Sequence, residues 1–458
     1  MINIIALEKN TLFWIVFHGA LGALTVFTPW AVIGWFYAVL FLGVFNLMSR
    51  NKNRNTLNCL IVYLVSFEIL ARMAGTSPYI PYELGKYLLF FFLLIGSLSF
   101  SGKGTVGIVM LMLLIPGVLL GYIESGLKAI IFNAMGVINI SLAILYFKKQ
   151  QTTIAHFISY IRLLIYPLIA VLAFTLFKSP ALDEIEFSLN ANFQATGGFG
   201  TNQVSTVFGA AVFLLFLFIW YRWKFSPYRW LDIALLLLFT FRGLLSFSRG
   251  GMIGGLLAIT LVLIIKNNFG QLTPIKKLNL KKILVYTPLL VIALFATFKL
   301  ADNVTGGLLT LRYSGESAGT LAGTKEKSLT TLTSNRNDIM LEDLAVFTEH
   351  AFLGVGVGQS MFHRQNTANQ LPHIEMSRLL SEHGLPGLLF FIFLLFQGIS
   401  IYRSKIPYKN ILLAIFILAL YTTFHAATRT YFTPLFIGLS LIAIQNIYDE
   451  NPLPGQQT

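Results

Sequence analysis

Charge is what this chain has least of. Asp, Glu, Lys and Arg make up 11% of its 458 residues, and carboxylates are the scarcer sign, 19 against 33 basic residues. The sequence is 56% hydrophobic, more apolar surface than a water-soluble domain can hide, whereas a bilayer accepts it. Cysteine is nearly absent too. The single Cys59 excludes a disulfide framework or a cysteine-based metal site within one chain. No G-x-S-x-G elbow and no P-loop occur, which argues against a serine hydrolase or an ATP-driven pump. Internal repeats and low-complexity tracts are missing as well. The opening MINIIALEKN has no basic n-region and no small-residue cleavage site, so the first span is expected to be retained.

What remains is a succession of apolar runs, such as LFWIVFHGALGALTVFTPW (12–30) and ALLLLFTFRGLLSF (234–247), with a mean hydropathy of +0.73. Hydropathy predicts an all-α polytopic membrane protein with about fourteen transmembrane helices, from 11–29 to 431–447. Residues 1–300 would hold eleven spans with short loops and an outer loop at 178–203. Residues 301–383 would form one large outer loop, and 384–458 three spans and a disordered tail. With the N-terminus inside, the short inner loops collect Arg50, Lys52, Arg54, Lys103, Lys148, Lys149, Lys276, Lys277 and Arg403, among others. The short outer loops carry Lys128, Lys178, Arg249 and Arg429. The net charge of +14 is therefore read as a topology signal rather than a nucleic-acid footprint.

Polar groups at membrane depth are costly and face a partner or a cavity. Glu68 and Arg72 stand at i, i+4, the spacing of an ion pair on one helix face, and a structural pair is the more frequent reading. Arg249, in SFSRGGMIGG, sits at an outer break between two spans. Exposed N–H groups at a helix start together with an arginine would suit an anion; a snorkelling interfacial arginine is the equal alternative. In the large loop, SNRNDIMLEDLAVFTEHAFLGVGVGQS (334–360) predicts a helix followed by a glycine turn. Met340, Leu344, Phe347 and Ala351 would form its apolar face, and Asn335 or Asn337 its cap. Arg336 would then lie at a helix N-terminus, a place that welcomes a phosphate. GVGVG has no strand–turn–helix setting, so it reads as a tight turn and not as a dinucleotide site. Asp183, Glu184 and Glu186 lack metal-ligand spacing and read as a solvated loop.

PHIEMSRLLSEHGLPGLLFF (372–391) changes character partway along. Pro372 suits a first helical turn, and Gly384 with Pro386 suits a stop or kink. Glu375, Arg378 and Glu382 fall on one face as a paired network. His373 in the first turn would be a neutral imidazole able to take a proton from a hydroxyl, although a structural hydrogen bond is the commoner role for any single histidine. His383 falls on a different face.

These elements resemble the O-antigen ligase and O-antigen polymerase superfamily over roughly residues 245–395. The likeness rests on SRGG at the end of an outward span, Arg336 before a helix and AFLGVGVGQ, then His373, Glu382, Gly384 and Gly387 before an apolar run. One departure is Ile374, where the family commonly has asparagine. Arg312, in RYSGESAGTLAG, competes with Arg336 as the second functional arginine. The resemblance implies a metal-independent, inverting C-type glycosyltransferase without cofactor, in the bacterial inner membrane, with cytoplasmic termini and a periplasmic active site. It would pass a glycan from undecaprenyl diphosphate to another glycan or to the lipid A core. Other polysaccharide-assembly membrane proteins are possible partners, and nucleic acid is not. Arg249, Arg336, Arg312 and Arg378 would bind substrate, His373 would act as base with Arg249 and Arg336 in the catalytic set, and Glu375 and Glu382 would support it. About fourteen spans favour polymerase over ligase, since the family's ligases usually have fewer. A protein O-oligosaccharyltransferase or a lipid-linked glycan flippase are the alternatives.

Overall fold

The computed structural model describes residues 10–48, 53–100, 104–265, 280–324, 326–327, 333, 336–370 and 374–445. Pro372, His373, Asn335, Arg50, Lys52, Lys103, Lys276, Lys277 and the C-terminal tail lie outside them. The apolar runs form helices because a helix satisfies its own backbone where water is absent. They are, in order, α1 (Thr11–Phe27), α2 (Trp30–Met48), α3 (Arg54–Val65), α4 (Glu68–Met73), α5 (Leu84–Ser99), α6 (Val106–Phe147), α7 (Ile154–Lys178), α8 (Thr201–Trp220), α9 (Arg229–Leu245), α10 (Arg249–Ile264) and α11 (Leu280–Val304). The long segment after α11 holds α12 (Leu308–Tyr313), α13 (Ala318–Leu321), α14 (Arg336–Glu349) and α15 (Ser360–His363). The chain then runs through α16 (Glu375–Arg403), α17 (Lys409–His425) and α18 (Phe432–Ser440). Among the described residues, six helical units are long and apolar enough to cross a bilayer: α2, α3 with α4, α6, α7, α8 and α16. Shorter apolar helices are α1, α5, α10 and α17. The chain is a multi-pass, all-α membrane protein.

The 42 residues of α6 would run about 60 Å if straight, twice the apolar thickness of a bilayer. They do not. Gly126 adopts φ 77°, ψ 175°, and the two arms return side by side, with the Gly104 amide donating to the Leu145 carbonyl at 3.2 Å. At that end of the bundle, β1 (Gln151–Thr153) pairs in parallel with β2 (Ala443–Gln445). The opposite end, the loop end, gathers Gly126, residues 74–83, 179–200, 246–248 and 426–431, and the α12–α15 segment.

Two carboxylates pin the 426–431 turn. Glu68 is bonded to Arg72 and accepts from the Tyr431 amide at 2.7 Å; Arg72 reaches the Arg429 carbonyl at 3.2 Å and the Tyr82 carbonyl at 2.8 Å. Glu375, bonded to Arg378, accepts from both the amide and the hydroxyl of Thr428 at 2.9 Å. The Glu68–Arg72 pair is thus a structural tie between α4 and the last turn.

Where α10 crosses α8, backbones touch. A Cβ on Gly251 would fall within the Ser205 carbonyl, and one on Gly255 within Gly209. No side chain can yield there, so Gly251→Val should cost at least the roughly 1–3 kcal/mol of ordinary overpacking. Gly34, in α2, has open space around it, and Gly34→Ala should stabilise by about 0.5–1 kcal/mol. Thermal unfolding in detergent checks both signs.

Candidate active site

The site begins at the turn SFSRGG. Phe247 is buried at φ +56°, a left-handed conformation that a bulky residue adopts only when its surroundings impose it. Its ring stacks on Phe187 with centroids 5.7 Å apart. The Ser248 hydroxyl donates to Asn202 Oδ1 at 2.7 Å, and its carbonyl accepts from Ser205 at 2.6 Å. This turn fixes Arg249 as the first residue of α10.

Arg249 Nη1 donates to the carbonyl of Arg312 at 2.8 Å. The short α12 therefore delivers a second guanidinium to the first. Burial, then the charges of Arg249 and Arg336, hold the Arg312 guanidinium down to about 10. Arg336, the first residue of α14, is held below its ordinary value by burial and then by Arg249 and Arg429. The Tyr313 and Tyr421 hydroxyls lie within electrostatic reach of Arg249, and burial pushes the Tyr313 phenol up. Three arginines from three helix ends thus crowd into one half-buried place.

The helix after Arg336 differs from its expected form. Asn337 lies inside the helix, and its amide donates to Thr333 Oγ1 at 3.3 Å. The buried stripe is Ile339, Asp343 and Val346 rather than Met340, Leu344, Phe347 and Ala351, and α14 ends before Ala351. The reason is polar. Asp343 meets Arg364 at 2.7 Å with both side chains fully enclosed, and accepts from Ser377 Oγ at 2.8 Å. Glu342 accepts from the Asn366 and Thr367 amides at 3.1 and 3.0 Å. Asp183, Glu184 and Glu186 are exposed in a turn where Glu184 accepts from the Ala181 amide at 3.3 Å. Among the described residues no group of three or more metal-ligating side chains occurs.

The glycine turn has a definite task. Gly384 breaks α16 at φ 63°, ψ −140°, and Pro386 has no N–H to return to Glu382. The stranded carbonyls of Ser381 and Glu382 accept instead from the Val355 and Gly356 amides, both at 3.0 Å. Val357 donates to Gly117 of α6 at 2.9 Å, and Leu385 donates to Ala351 at 2.7 Å. Gly354, Gly356 and Gly358 all have positive φ. GVGVG is a backbone patch that lets a polar helix continue into an apolar one.

Arg249, Arg312 and Arg336 come together. Glu375, Arg378 and Glu382 form a neighbouring group, and Arg429 lies within electrostatic reach of Arg336, Arg378 and Glu375. His383 is buried against Gly117. Sequence reading assigned no role to Tyr421, His425 or Arg429. His425 is buried beside Gly250, with Nε2 3.1 Å from Thr206 Oγ1. The signal available was the polar run HAATRTY between two apolar helices.

The fold is that of a helical membrane protein with a guanidinium cluster at its loop end. Residues 233–392, about a third of the chain, match the family model described as O-antigen ligase, and over that region the match supports the resemblance to the O-antigen ligase and polymerase superfamily. The family suggests ligase- or polymerase-type glycan transfer and a lipid-linked glycan substrate. No curated protein and no solved structure matches the chain.

Removing Arg364 would strand Asp343 inside the protein, which should destabilise by about 3–5 kcal/mol. Arg364→Ala should therefore expose the 305–374 segment to protease. The double variant Asp343→Leu with Arg364→Met should recover part of the resistance; a resistant single variant would contradict the pairing.

Proposed function

We propose that the protein transfers a glycan from undecaprenyl diphosphate to a sugar hydroxyl on the periplasmic face of the bacterial inner membrane. The loop end faces the periplasm and the termini the cytoplasm, in a C-type architecture of about fourteen spans. The observation that carries this reading is the convergence of Arg249, Arg312 and Arg336. A diphosphate relieves their mutual repulsion, and charge-assisted hydrogen bonds from planar guanidinium groups fit its oxygens.

The acceptor oxygen attacks the anomeric carbon as the bond from that carbon to the diphosphate oxygen breaks. Undecaprenyl diphosphate leaves with the electron pair, and the acceptor proton passes to His373. A single displacement inverts the anomeric centre. The arginines stabilise the charge that grows on the leaving diphosphate, so metal is not required. His373 is bonded to Ile374, which precedes the first residue of α16. Glu375 keeps α16 against the 426–431 turn and thereby positions that end of the helix. The acceptor is another lipid-linked glycan if the protein is a polymerase, which the span count favours, or the lipid A core if it is a ligase.

Purified protein, a defined undecaprenyl-diphosphate glycan and the two acceptors decide between these. Chain growth marks a polymerase and core modification a ligase; transfer to neither overturns the proposal. Arg336→Ala and Arg312→Ala should each weaken donor binding about tenfold to a hundredfold. His373→Ala should lower kcat by about 10²–10⁴ with donor affinity kept, and retained turnover would remove it as base. Activity should persist in EDTA.

A further inference from the structure

A second space lies near the arginine cluster. Cavities of about 680 and 180 Å³ open at the loop end, where α5 begins beside the second arm of α6. Both are lined by Tyr82, Glu83, Phe132 and Asn133, so they lie side by side as two parts of a trough. The larger part lies within the range of about 300–1,000 Å³ that small-molecule sites occupy.

Its walls are of two kinds. Tyr82, Tyr87 and Phe132 supply rings, and Tyr82 and Phe132 are half exposed. Glu83, Asn133 and Glu382 supply polar atoms, although Glu382 is 3% exposed. Glu83 uses Oε2 for Lys86 at 2.8 Å and Arg72 at 3.5 Å, while its Oε1 makes no bond among the described residues. In the smaller part, Arg378 is buried and its Nε finds no hydrogen-bond partner among the described residues. A buried polar group of this kind is costly unless a ligand satisfies it.

This combination selects for one class of molecule. An aromatic face is electron-rich and suits the polarised C–H edge of a sugar ring. Carboxylates accept from hydroxyls, and an amide can do either. A lipid tail would leave these carboxylates and the neighbouring Lys128 and Arg378 unsatisfied, whereas sugar hydroxyls both donate to carboxylates and accept from cations.

The trough is also in the right place. His425 packs at Gly250, next to Arg249; Thr428 bonds to Glu375; Arg429 lines the smaller cavity with Arg378. Five residues of chain thus span from the arginine cluster to the trough.

We propose that this trough is the acceptor subsite, and that Tyr82, Tyr87, Phe132, Glu83 and Glu382 bind the sugars around the accepting hydroxyl. The proposal rests on the glycan-transfer reading. Four of the five, Tyr82, Glu83, Tyr87 and Phe132, lie upstream of residues 233–392, so acceptor choice is built largely outside the family-matched region.

The test uses full-length protein in detergent and a fluorescent oligosaccharide released by mild acid from the polysaccharide of the source strain. Equilibrium binding is measured without donor, alongside acceptor and donor KM in the transfer assay. Phe132→Ala and Tyr87→Ala should each weaken oligosaccharide binding and raise acceptor KM about tenfold, with donor KM unchanged. Phe132→Tyr should restore both. No saturable binding to the wild type, or equal binding to wild type, Phe132→Ala and Tyr87→Ala, would overturn the assignment. A wild type that binds the oligosaccharide but transfers nothing would count against the transfer reading instead, and the binding comparison would still decide the trough.

Discussion

Mutual repulsion among Arg249, Arg312 and Arg336 is the constraint around which the loop end is built. Two unit charges about 4 Å apart repel by about 4 kcal/mol at the effective dielectric of a protein surface. Such a cluster persists only if the scaffold leaves each side chain no escape. Arg72, Arg364 and Arg378 each meet a carboxylate, Glu68, Asp343 and Glu375 respectively. Arg249 donates to a carbonyl, that of Arg312, which fixes its position. The turn at Phe247, the Gly251–Ser205 contact and the Asp343–Arg364 pair each hold one helix end in place.

A second constraint follows from the scarcity of water at depth. Every backbone group freed by a bend needs a replacement partner. The break at Gly384 is repaired by GVGVG, and the 426–431 turn is tied down by Glu68 and Glu375. These repairs also do positional work. The first couples α16 to α6 through Val357, and the second carries chain from the arginine cluster to the acceptor trough. The arginine cluster and the trough are therefore held relative to each other by buried carboxylates on the linking turn.

Much of this was legible from local patterns. Apolar runs marked the helices, SRGG marked a helix start, Arg336 was placed at a helix N-terminus, and Gly384 with Pro386 marked a break in α16. Glu375 and Arg378 were read as a pair from their spacing. The buried face of α14 was not legible, because it is set by Asp343 reaching Arg364, a contact with no hydrophobic period. The contribution of Tyr421, His425 and Arg429 was equally hidden. They arrive from the end of α17 and the turn after it, more than a hundred residues after Arg312, and periodicity carries no information about such pairings. Hydropathy separated the two arms of α6, but only the tertiary contact of Gly104 with Leu145 shows that they lie side by side.

The most direct measurement is a cryo-EM map of the full-length protein with undecaprenyl diphosphate bound. The account predicts density for the diphosphate between Arg249, Arg312 and Arg336, at the N-terminus of α14, with the polyprenyl chain leading into the bilayer. Diphosphate density elsewhere, with the three guanidinium groups turned away from it, would contradict the account.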